Sequence, residues 1–580
     1  MTEAVEWLAD GTPRSNRFDD VYRSASGGVE QAHHVFLGGC GLPQAWAGHR
    51  QWVILETGFG LGLNFLAAWS AWKQDAQRPR LLHFVSIEAW PVAAADLLRS
   101  AARYPELHPL ANTLAAQCDQ LLPGVHRLSF EQGHVLLTLH IRDVKLALRE
   151  PRLRADSIFL DGFDPQRNPA MWELQTLKAV ARHCRRGTTL ATWTVAGQVR
   201  RDLAQCGFIV QKAQGLPPKR DCLKAVFAPA WEPKGQRAAN TVVPDRCVVV
   251  GAGLAGSAVA SSLARRGWRV NVLDAAGTPA AGASSLPAGL LAPNSSADDN
   301  LLSRLTRSGI RMASQQARAL LREGLDFRLS GVMEQRNEGN PAHWQSEGGW
   351  LKPAALVRAW LSHADIEWRG NCTVDRVVRD GKDWHLIDER GAELARASLV
   401  VIAAAHATNA LAGRGLPLQP VRGQISWGEH DDGAMFPEFP VNGDGHLIAN
   451  VPMDDALAWF CGSTYQRGEA DLAPRAADHE YNFNRLSKLL PAVAKEVTAS
   501  FTNGSIRAWT GVRCASADRR PLVGEVEPGL WVCTAMGSRG LTFAALCAEL
   551  LAARLHGEPL PLDARLAQSL DVARALPGAC

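Results

Sequence analysis

The sequence predicts an α/β protein that folds as two successive domains, each built on a parallel sheet. At 580 residues the chain exceeds the ~250 to 300 residues at which a single hydrophobic core stops growing. On both sides of a polar stretch, short β-branched runs alternate with longer helical patterns, as in parallel-sheet domains. Two glycine clusters, ETGFGLGLNF at 56–65 and VVVGAGLAGSAV at 248–259, each include or follow such a run. Because ligands bind beyond the carboxyl ends of such strands, two ligand sites are expected.

Composition excludes several classes of protein. The chain is 46% hydrophobic and 21% charged, as in ordinary folded proteins. Its amino terminus has no basic segment followed by an apolar core, so no secretory signal is expected. The uncharged run Cys247–Ala264 is glycine-rich at its centre and favours strand, turn and helix over a membrane span. Twelve cysteines without a C-x-x-C pair argue against a zinc site and against disulfides. A cytoplasmic protein with neither metal nor membrane anchor is predicted.

A polar stretch divides the chain. PAWEPKGQRAANTVVP, at 229–244, combines proline, glycine and polar residues without apolar periodicity, and is the best linker candidate. The predicted domains are therefore 1–228 and 245–580. Strands are predicted in the first domain at Trp52–Leu55, His83–Ile87, Ser157–Leu160 and Thr188–Thr192.

The second glycine cluster fits a dinucleotide site. Gly251, Gly253 and Gly256 satisfy G-x-G-x-x-G between a strand and a helix, as a turn against a pyrophosphate requires. Asp274 ends the next strand, 21 positions after Gly253, where an acid reaches a ribose hydroxyl. The fingerprint alone does not separate NAD from FAD.

The segment GVRCASADRRPLVGEVEPGLWVCTAMGSRGLTFAALCAELLAARL, at 511–555, resembles the last part of the glycine oxidase and D-amino-acid oxidase flavoproteins. The resemblance implies an FAD-binding domain of that type with an α+β substrate subdomain. It also implies a substrate-binding arginine at Arg513, whose fork matches a carboxylate bidentately. A surface salt bridge is the alternative for Arg513. The residues expected to contact FAD are Gly537, Ser538, Arg539 and Gly540.

The first glycine cluster is spaced differently. Glu56, Gly58, Gly60 and Gly62 form E-x-G-x-G-x-G, which resembles the first motif of class I S-adenosylmethionine methyltransferases. A Rossmann-like methyltransferase domain follows from that resemblance. In that family an acid ending the second strand binds the ribose hydroxyls, which implies Glu88 in HFVSIEAW.

A further acid of that family contacts the adenine region, and Asp143 in HIRDVKLAL matches its position. The loop LDGFDPQRNPAMW, at 160–172, follows the strand where these enzymes hold the methyl acceptor. A carboxylate there can orient an acceptor amine and take up its proton. Asp161 is preferred because it is nearer the strand end, and Asp164 competes with it.

Several segments together resemble the MnmC family, bifunctional enzymes of wobble-uridine modification in bacterial tRNA. They are, in order, 16–46, ETGFGLGLNF, LDGFDPQRNPAMW, GGWLKPAAL, PVRGQIS and GSRGLT. The resemblance implies that the FAD domain removes the carboxymethyl group from 5-carboxymethylaminomethyl uridine. The methyltransferase domain then methylates the exposed amine, with Asp161 as the catalytic aspartate. The implied partner is tRNA, and a monomer is expected.

One departure from the family pattern leaves alternatives open. Many members have A-S-G-N-x-x-G after the second strand of the FAD domain, whereas this chain has GASSLPAGLLAP, with Ser285 and Leu286 in place of Gly-Asn. A methyltransferase with a degenerate oxidase is one alternative. A fusion enzyme that acts on free glycine derivatives is another. Basic pairs that might line an RNA phosphate track occur at 185–186, 200–201, 219–220 and 265–266.

Overall fold

A computed structural model describes residues 2–24, 27–118, 121–150, 153–232, 242–335, 342–431 and 435–576. The chain divides into two compact units. The first comprises 1–242 and 553–564, and the second comprises 243–552 and 565–580. Most of the expected linker, 233–241, lies outside the described residues. The segment 553–564, which the sequence assigned to the carboxyl-terminal domain, groups with the first unit.

The first unit is built on one eight-stranded sheet whose five central strands are parallel. All four strands predicted for this domain are present. Antiparallel strands complete both edges of the sheet. Across the sheet the order is Phe208–Gln214, Asp221–Phe227, Cys184–Thr192, Ala155–Phe159, Gln51–Glu56, Leu81–Glu88, Val135–Ile141 and Gly124–Phe130.

Helices cover this sheet, and its central strands are buried along nearly their whole length, as parallel strands usually are. The longer helices are Leu63–Gln74, Ala94–Ala101, His108–Ala115, Leu174–Ala181 and Gly197–Gln205. Shorter helical turns are Gly28–Gln31, Ala32–Leu37, Val144–Ala147 and Pro169–Trp172. A small sheet of Val5–Trp7, Pro13–Ser15 and Asp20–Val21 precedes them.

The segment 553–564 packs into the first unit through polar contacts as well as apolar ones. The Glu558 carboxylate lies 3.7 Å from Nε2 of His83, and both side chains are buried. The backbone N–H of Ala564 donates to Glu150 at 2.8 Å. The carbonyl of Pro559 accepts a hydrogen bond of 2.5 Å from Arg127. These contacts make a late part of the chain a structural component of the first unit.

The second unit contains a parallel sheet with one antiparallel edge strand, in the order Ile366–Arg369, Arg269–Leu273, Arg246–Val250, Leu399–Ile402, Leu530–Thr534 and Leu522–Glu527. A larger mixed sheet has the order His343–Gln345, Val332–Glu334, Val441–Gly443, Gly445–Met453, Ala456–Gly462, Leu418–His430 and Gln466–Arg467, with Arg507–Ser516 also paired to Leu418–His430. There are also two three-stranded sheets. One has the order Gly289–Leu291, Gly349–Leu351 and Phe327–Arg328, and the other has the order Arg376–Asp380, Asp383–Ile387 and Glu393–Ala397.

Helices of this unit begin with Leu254–Arg265, which packs behind the parallel sheet, and Leu301–Leu320. The others are Pro353–Leu361, Thr408–Ala412, Ala476–Leu489, Pro491–Thr502, Gly540–His556 and Ala564–Gln568. The last two helices cross the boundary between the units, and only residues 540–552 and 565–568 of them belong to the second unit. The parallel sheet and the larger mixed sheet match the expected division into a nucleotide-binding part and an α+β part. Across the described ranges, no helix is both long and apolar enough to cross a membrane.

Candidate active sites

The first glycine cluster forms the floor of a cavity of about 170 Å³ in the first unit. The cluster follows the strand Gln51–Glu56, and both Gly58 and Gly60 line the cavity. A Cβ on Gly58 would stand 3.1 Å from the carbonyl oxygen of Asp161, so the glycine turn closely approaches the loop 160–172, which we call the acceptor loop. Gly60 has a φ of +51°, in the left-handed region that favours glycine. The turn therefore needs glycines for close approach and for backbone conformation.

Glu88 ends the neighbouring strand and lines the same cavity. Its carboxylate accepts hydrogen bonds from the backbone N–H groups of Gly60 and Trp90, both at 2.9 Å. Burial raises the pKa of Glu88 to about 6, although the two N–H donors oppose the shift. The carboxylate is held against the glycine turn with acceptor positions left for a diol, as its expected ribose contact requires.

Asp161 and Glu56 are joined by a side chain that the sequence reasoning missed. The Nδ2 group of Asn64 donates to Oδ2 of Asp161 and to Oε1 of Glu56, both at 2.9 Å. The second oxygen of Glu56 accepts from the Ser86 hydroxyl at 2.6 Å. The second oxygen of Asp161 accepts from the N–H of Gly162 at 2.9 Å. Asn64 lies in ETGFGLGLNF, but sequence spacing alone gave no sign that it reaches two carboxylates.

Burial raises the pKa of both carboxyl groups that Asn64 joins. It raises the pKa of Asp161 to about 6, while the bonds from Gly162 and Asn64 oppose the shift. It raises the pKa of Glu56 to about 8, and the nearby charge of Asp161 adds to that effect. At neutral pH, Asp161 is therefore mostly ionised and Glu56 mostly protonated. A carboxylate with a pKa near the working pH is suited to act as a general base.

The remaining predicted residues of this site occupy different positions. Asp143 is exposed, lines the cavity and accepts from the N–H of Lys145 at 2.9 Å, which caps a helical turn. Glu56 and Gly62 lie outside the cavity lining, so Glu56 acts on the site through Asn64. Asp164 is exposed and accepts from the N–H of Gln166 at 2.8 Å. Of the two competing aspartates, the structure brings only Asp161 to the cavity.

An aromatic wall closes one side of the cavity and was not predicted. Phe18 stacks on Phe163 with ring centroids 4.8 Å apart, and Tyr22 meets the same ring edge-on at 5.1 Å. All three residues line the cavity. Burial and the neighbouring Glu88 raise the pKa of Tyr22, which keeps its hydroxyl protonated. The wall joins the amino-terminal segment to the acceptor loop, a long-range contact that local patterns do not encode.

The second glycine cluster lies at a much larger cavity, about 940 Å³, in the second unit. Gly251 has a φ of +110°, and a Cβ there would stand 2.5 Å from the carbonyl oxygen of Ala403. Gly253 is the residue before the helix Leu254–Arg265, so the first N–H groups of that helix face the cavity. A Cβ on Gly256 would overlap the carbonyl of Gly251. The cradle fits a pyrophosphate, because the amino terminus of a helix stands beside a glycine turn that leaves room for close approach.

Asp274 holds this cradle in shape as well as facing it. Its carboxylate accepts from the N–H of Ala252 at 2.6 Å and from the N–H of Ala276 at 2.8 Å. Both oxygens retain further acceptor positions, and the residue lines the cavity. The expected ribose contact is therefore compatible with its structural role.

The segment that departs from the family pattern closes over the cradle. The hydroxyl of Ser284 accepts from the N–H of Leu254 at 3.0 Å. The hydroxyl of Ser285 accepts from the indole N–H of Trp509 at 2.9 Å. Leu286 lines the cavity. Of the two replacement residues, Ser285 thus contacts a cavity-lining tryptophan and Leu286 lines the cavity, whereas Ser284 makes the contact with the cradle.

The carboxyl-terminal glycine segment and Arg513 face the same cavity. Gly537, Ser538, Arg539 and Gly540 all line it, and Gly540 begins a long helix. Arg513 donates to the hydroxyl of Ser463 at 2.8 Å and to the carbonyl of Thr464 at 3.3 Å. Among the described residues no carboxylate pairs with Arg513, so the alternative of a salt bridge finds no partner there.

Two further residues shape the surroundings of Arg513. A Cβ on Gly423, in the motif PVRGQIS, would overlap the guanidinium, so the neighbouring strand admits Arg513 only beside a glycine. His446 lines the cavity, and burial together with the charges of Arg513 and Arg485 lowers its pKa to about 4. A neutral imidazole therefore stands beside a buried guanidinium. The sequence gave no signal for His446.

Two family models match the chain. One, described as S-adenosyl-L-methionine-dependent methyltransferase, matches residues 105–228. The other, described as FAD dependent oxidoreductase, matches residues 246–344 and 334–554. The order of the two matches is the predicted order of the two domains, and the predicted cofactors are those of the two families.

Curated relatives match nearly the whole chain. A protein of Polaromonas naphthalenivorans (strain CJ2) is 54% identical over 98% of this chain and 98% of its own length. A protein of Acidovorax sp. (strain JS42) is 50% identical, over 99% of each chain. A protein of Cupriavidus metallidurans is 40% identical, over 98% of this chain and 94% of its own. Each is named tRNA 5-methylaminomethyl-2-thiouridine biosynthesis bifunctional protein MnmC.

Solved structures match about half of the chain. Glycine oxidase from Geobacillus kaustophilus is 20% identical with a TM-score of 0.45, over 55% of this chain and 98% of its own. Iminodiacetate oxidase from Chelativorans sp. BNC1 is 20% identical with a TM-score of 0.43, over 54% of this chain and 96% of its own.

Proposed function

The chain belongs to the MnmC family of bifunctional tRNA-modification proteins, and from that premise we propose that it modifies the wobble uridine of tRNA in two successive steps. The observation that carries the proposal is the presence of two separately built cavities in one chain that matches its relatives from end to end. The residues to which we assign the two steps support the proposal, because Asp161 lines one cavity and Arg513 lines the other. A fusion acting on free glycine derivatives is not favoured, because the relatives are named for tRNA modification.

The first step removes the carboxymethyl group in the second unit. FAD, held by the glycine turn 251–256 and the segment 537–540, would supply the oxidising power by taking a hydride from the methylene carbon next to the arm's carboxylate. Hydrolysis of the resulting substrate imine would release this fragment as glyoxylate and leave an aminomethyl group. Arg513 binds the arm's carboxylate, since its guanidinium is buried, fixed by Ser463 and without an acidic partner in the described part of the chain. The helix that begins at Gly540 has its amino terminus at the cavity, where its N–H groups would favour the electron-rich part of a bound flavin.

The second step methylates the exposed amine in the first unit. S-adenosylmethionine supplies the methyl group, and the amine attacks it with its lone pair. Asp161 accepts a hydrogen bond from the amine, orients the lone pair and takes up the proton that the product ammonium loses. Glu88 binds the ribose hydroxyls of the methyl donor, and Asp143 contacts its adenine region. The order of the steps is fixed by chemistry, because the first step creates the primary amine that the second consumes.

The substrate also bears on the remaining expectations. A cytoplasmic location is proposed because tRNA is the substrate. A monomeric state stays a prediction.

Nucleoside analysis tests the proposal. Purified protein is incubated with tRNA that carries 5-carboxymethylaminomethyl uridine, with and without S-adenosylmethionine, and the digested nucleosides are analysed by mass. We expect the aminomethyl nucleoside without the methyl donor and the methylaminomethyl nucleoside with it. A parallel reaction contains a free N-alkylglycine in place of tRNA. Consumption of that amine with both tRNA products absent would contradict a tRNA substrate.

A further inference from the structure

Two exposed tyrosines lie at the cavity of the second unit. The whole chain has only four tyrosines, and Tyr465 and Tyr481 are 46% and 50% exposed. Tyr465 lines the cavity. Tyr481 lies outside the lining, on the helix Ala476–Leu489, with the Arg485 guanidinium 5.4 Å from its ring centre. Arg485 itself lines the cavity and donates to the carbonyl of Ser463 at 3.0 Å, two residues before Tyr465. Tyr465 therefore lies at the mouth of the cavity, and Tyr481 lies beside Arg485, a residue that lines it.

Arginines surround these rings, and two of them lack acidic partners among the described residues, whereas Arg485 beside Tyr481 is paired with Asp444 at 2.8 Å. Arg467 is exposed, and its guanidinium stands 5.9 Å from the ring centre of Tyr465. Arg519 is exposed and close enough to Arg539 for its charge to lower the pKa of that residue. Within the described ranges neither Arg467 nor Arg519 forms an ion pair. Arg513 and Arg539 stand deeper, in the cavity lining. The mouth is thus positively charged outside the region that the flavin and the substrate arm require.

Two of the four basic pairs that the sequence offered as a phosphate track are engaged in ion pairs elsewhere. Arg185 pairs with Asp156, and Arg186 with Glu232 at 3.0 Å. Arg266 pairs with the buried Glu549 at 3.0 Å, as does its neighbour in the chain. The presence of two basic residues side by side in the sequence therefore does not show whether their charges are unpaired. The unpaired charge described above comes from residues far apart in sequence.

We propose that this mouth, defined by Tyr465, Tyr481, Arg467 and Arg519, binds unpaired nucleotides of the tRNA anticodon loop beside the wobble base. The proposal rests on the two-step function and adds the surface that holds its substrate. Aromatic faces stack on unpaired bases regardless of sequence, and arginines contact the phosphates between them. A wobble base has to leave the loop's own stack to enter a cavity, and its neighbours then need new stacking partners. The two exposed rings supply the stacking faces, and the unpaired Arg467 and Arg519 supply positive charge for the phosphates.

Binding of a labelled anticodon stem-loop tests the surface directly. The FAD-loaded full-length protein is titrated into fluorescein-labelled RNA, and the Kd is measured by anisotropy at several salt concentrations. We expect Tyr481→Ala to weaken binding about tenfold, because base stacking on an aromatic ring contributes on that order. Tyr481→Phe keeps the stacking face and should bind as the unaltered protein does. Arg467→Ala should flatten the plot of log Kd against log salt by about 0.7, the contribution of one phosphate contact to a single strand.

A matched control separates this surface from general charge loss. Arg379→Ala removes an exposed arginine that also stands over an aromatic ring, Trp384 at 5.7 Å, in the separate sheet of Arg376–Asp380. It should leave both Kd and salt slope unchanged. Flavin absorbance of every variant reports whether the fold and the cofactor site are intact.

Unchanged Kd values for Tyr481→Ala and an unchanged salt slope for Arg467→Ala, with normal flavin content, would overturn the proposal. The binding measurement needs no turnover, so it tests the surface even if the unaltered protein modifies no tRNA. A failure to modify tRNA would instead contradict the two-step function. A duplex stem without the loop should bind more weakly than the stem-loop. Equal binding of both RNAs would show that the surface reads phosphates alone and would also refute stacking.

Discussion

Replacing Asn64 with leucine should move the pH dependence of methyl transfer. The side chain donates to Asp161 at 2.9 Å, and leucine keeps the volume while removing the donor. A hydrogen bond to a charged group contributes ~1.5 to 3 kcal/mol. At ~1.36 kcal/mol for each pKa unit, losing it raises the pKa of Asp161 by about 1 to 2. The pKa should therefore rise from about 6 to about 7 to 8.

The consequence for the rate follows from the ionised fraction of Asp161. A base with a pKa near 6 is about 90% ionised at pH 7, whereas one raised by 1 to 2 is about 10 to 50% ionised. Methyl transfer at pH 7 should fall by about twofold to tenfold and recover as the pH rises. The other titratable groups that face Asp161, namely Glu56 and Lys219, remain in place.

The assay measures transfer of a labelled methyl group from S-adenosylmethionine to tRNA that already carries the aminomethyl arm. Rates are compared from about pH 5 to about pH 9, so that the acidic limb of each profile is resolved. Ser86→Ala is the matched control, because it removes a hydrogen bond to Glu56 and leaves both bonds of Asn64 intact. A rate lowered equally at every pH in Asn64→Leu would mean that the side chain only supports the fold. That result would refute the argument.

Three further predictions concern other parts of the chain. Gly423→Ala should displace the Arg513 guanidinium and raise the KM of the carboxymethyl-removing step, with methyl transfer unchanged; an unaltered KM would contradict the packing argument. Burial raises the pKa of Glu56 to about 8, whereas in the unfolded state this carboxyl loses its proton near pH 4. The folded state therefore binds one more proton between about pH 4 and about pH 8, and the free energy of unfolding falls as the pH rises through that range. Glu56→Gln should therefore show a smaller loss of Tm than the unaltered protein over that range, and equal losses would count against a protonated Glu56. Glu558→Ala should lower the free energy of unfolding of the first unit by about 1 to 3 kcal/mol, measured in urea, because it removes the carboxylate that lies beside the buried His83 ring. An unchanged urea midpoint would show that the carboxylate is dispensable.

The parts of the molecule that follow from local patterns were predictable from the sequence. The strand and turn around Gly251 depend on a run of β-branched residues and on close spacing of glycines, and both are visible in a short window. Glu88 and Asp161 were found because acids at the carboxyl ends of parallel strands meet at one edge of a sheet. Arg513 was found through a resemblance, since nothing near it in sequence shows that it is buried and unpaired.

The rest of the site depends on contacts between distant parts of the chain. Asn64 reaches Asp161 only because the helix Leu63–Gln74 begins next to the loop that follows Ala155–Phe159, and the two residues are 97 positions apart in sequence. Tyr22 joins the cavity through the packing of an amino-terminal segment against Phe163. The grouping of 553–564 with the first unit likewise requires knowing where a distant helix ends. Hydrophobic periodicity carries no information about such pairings, so only the folded structure shows them.

Nucleoside analysis of two single variants tests the central claim most directly, namely that the two cavities act in sequence on one tRNA arm. Asp161→Asn and Arg513→Ala are each incubated with carboxymethylaminomethyl tRNA and S-adenosylmethionine. We predict that Asp161→Asn accumulates the aminomethyl nucleoside, while Arg513→Ala leaves the carboxymethylaminomethyl nucleoside and still methylates tRNA supplied in the aminomethyl form. Full conversion to the methylaminomethyl nucleoside by Asp161→Asn, or loss of both activities in either correctly folded variant, would contradict the account.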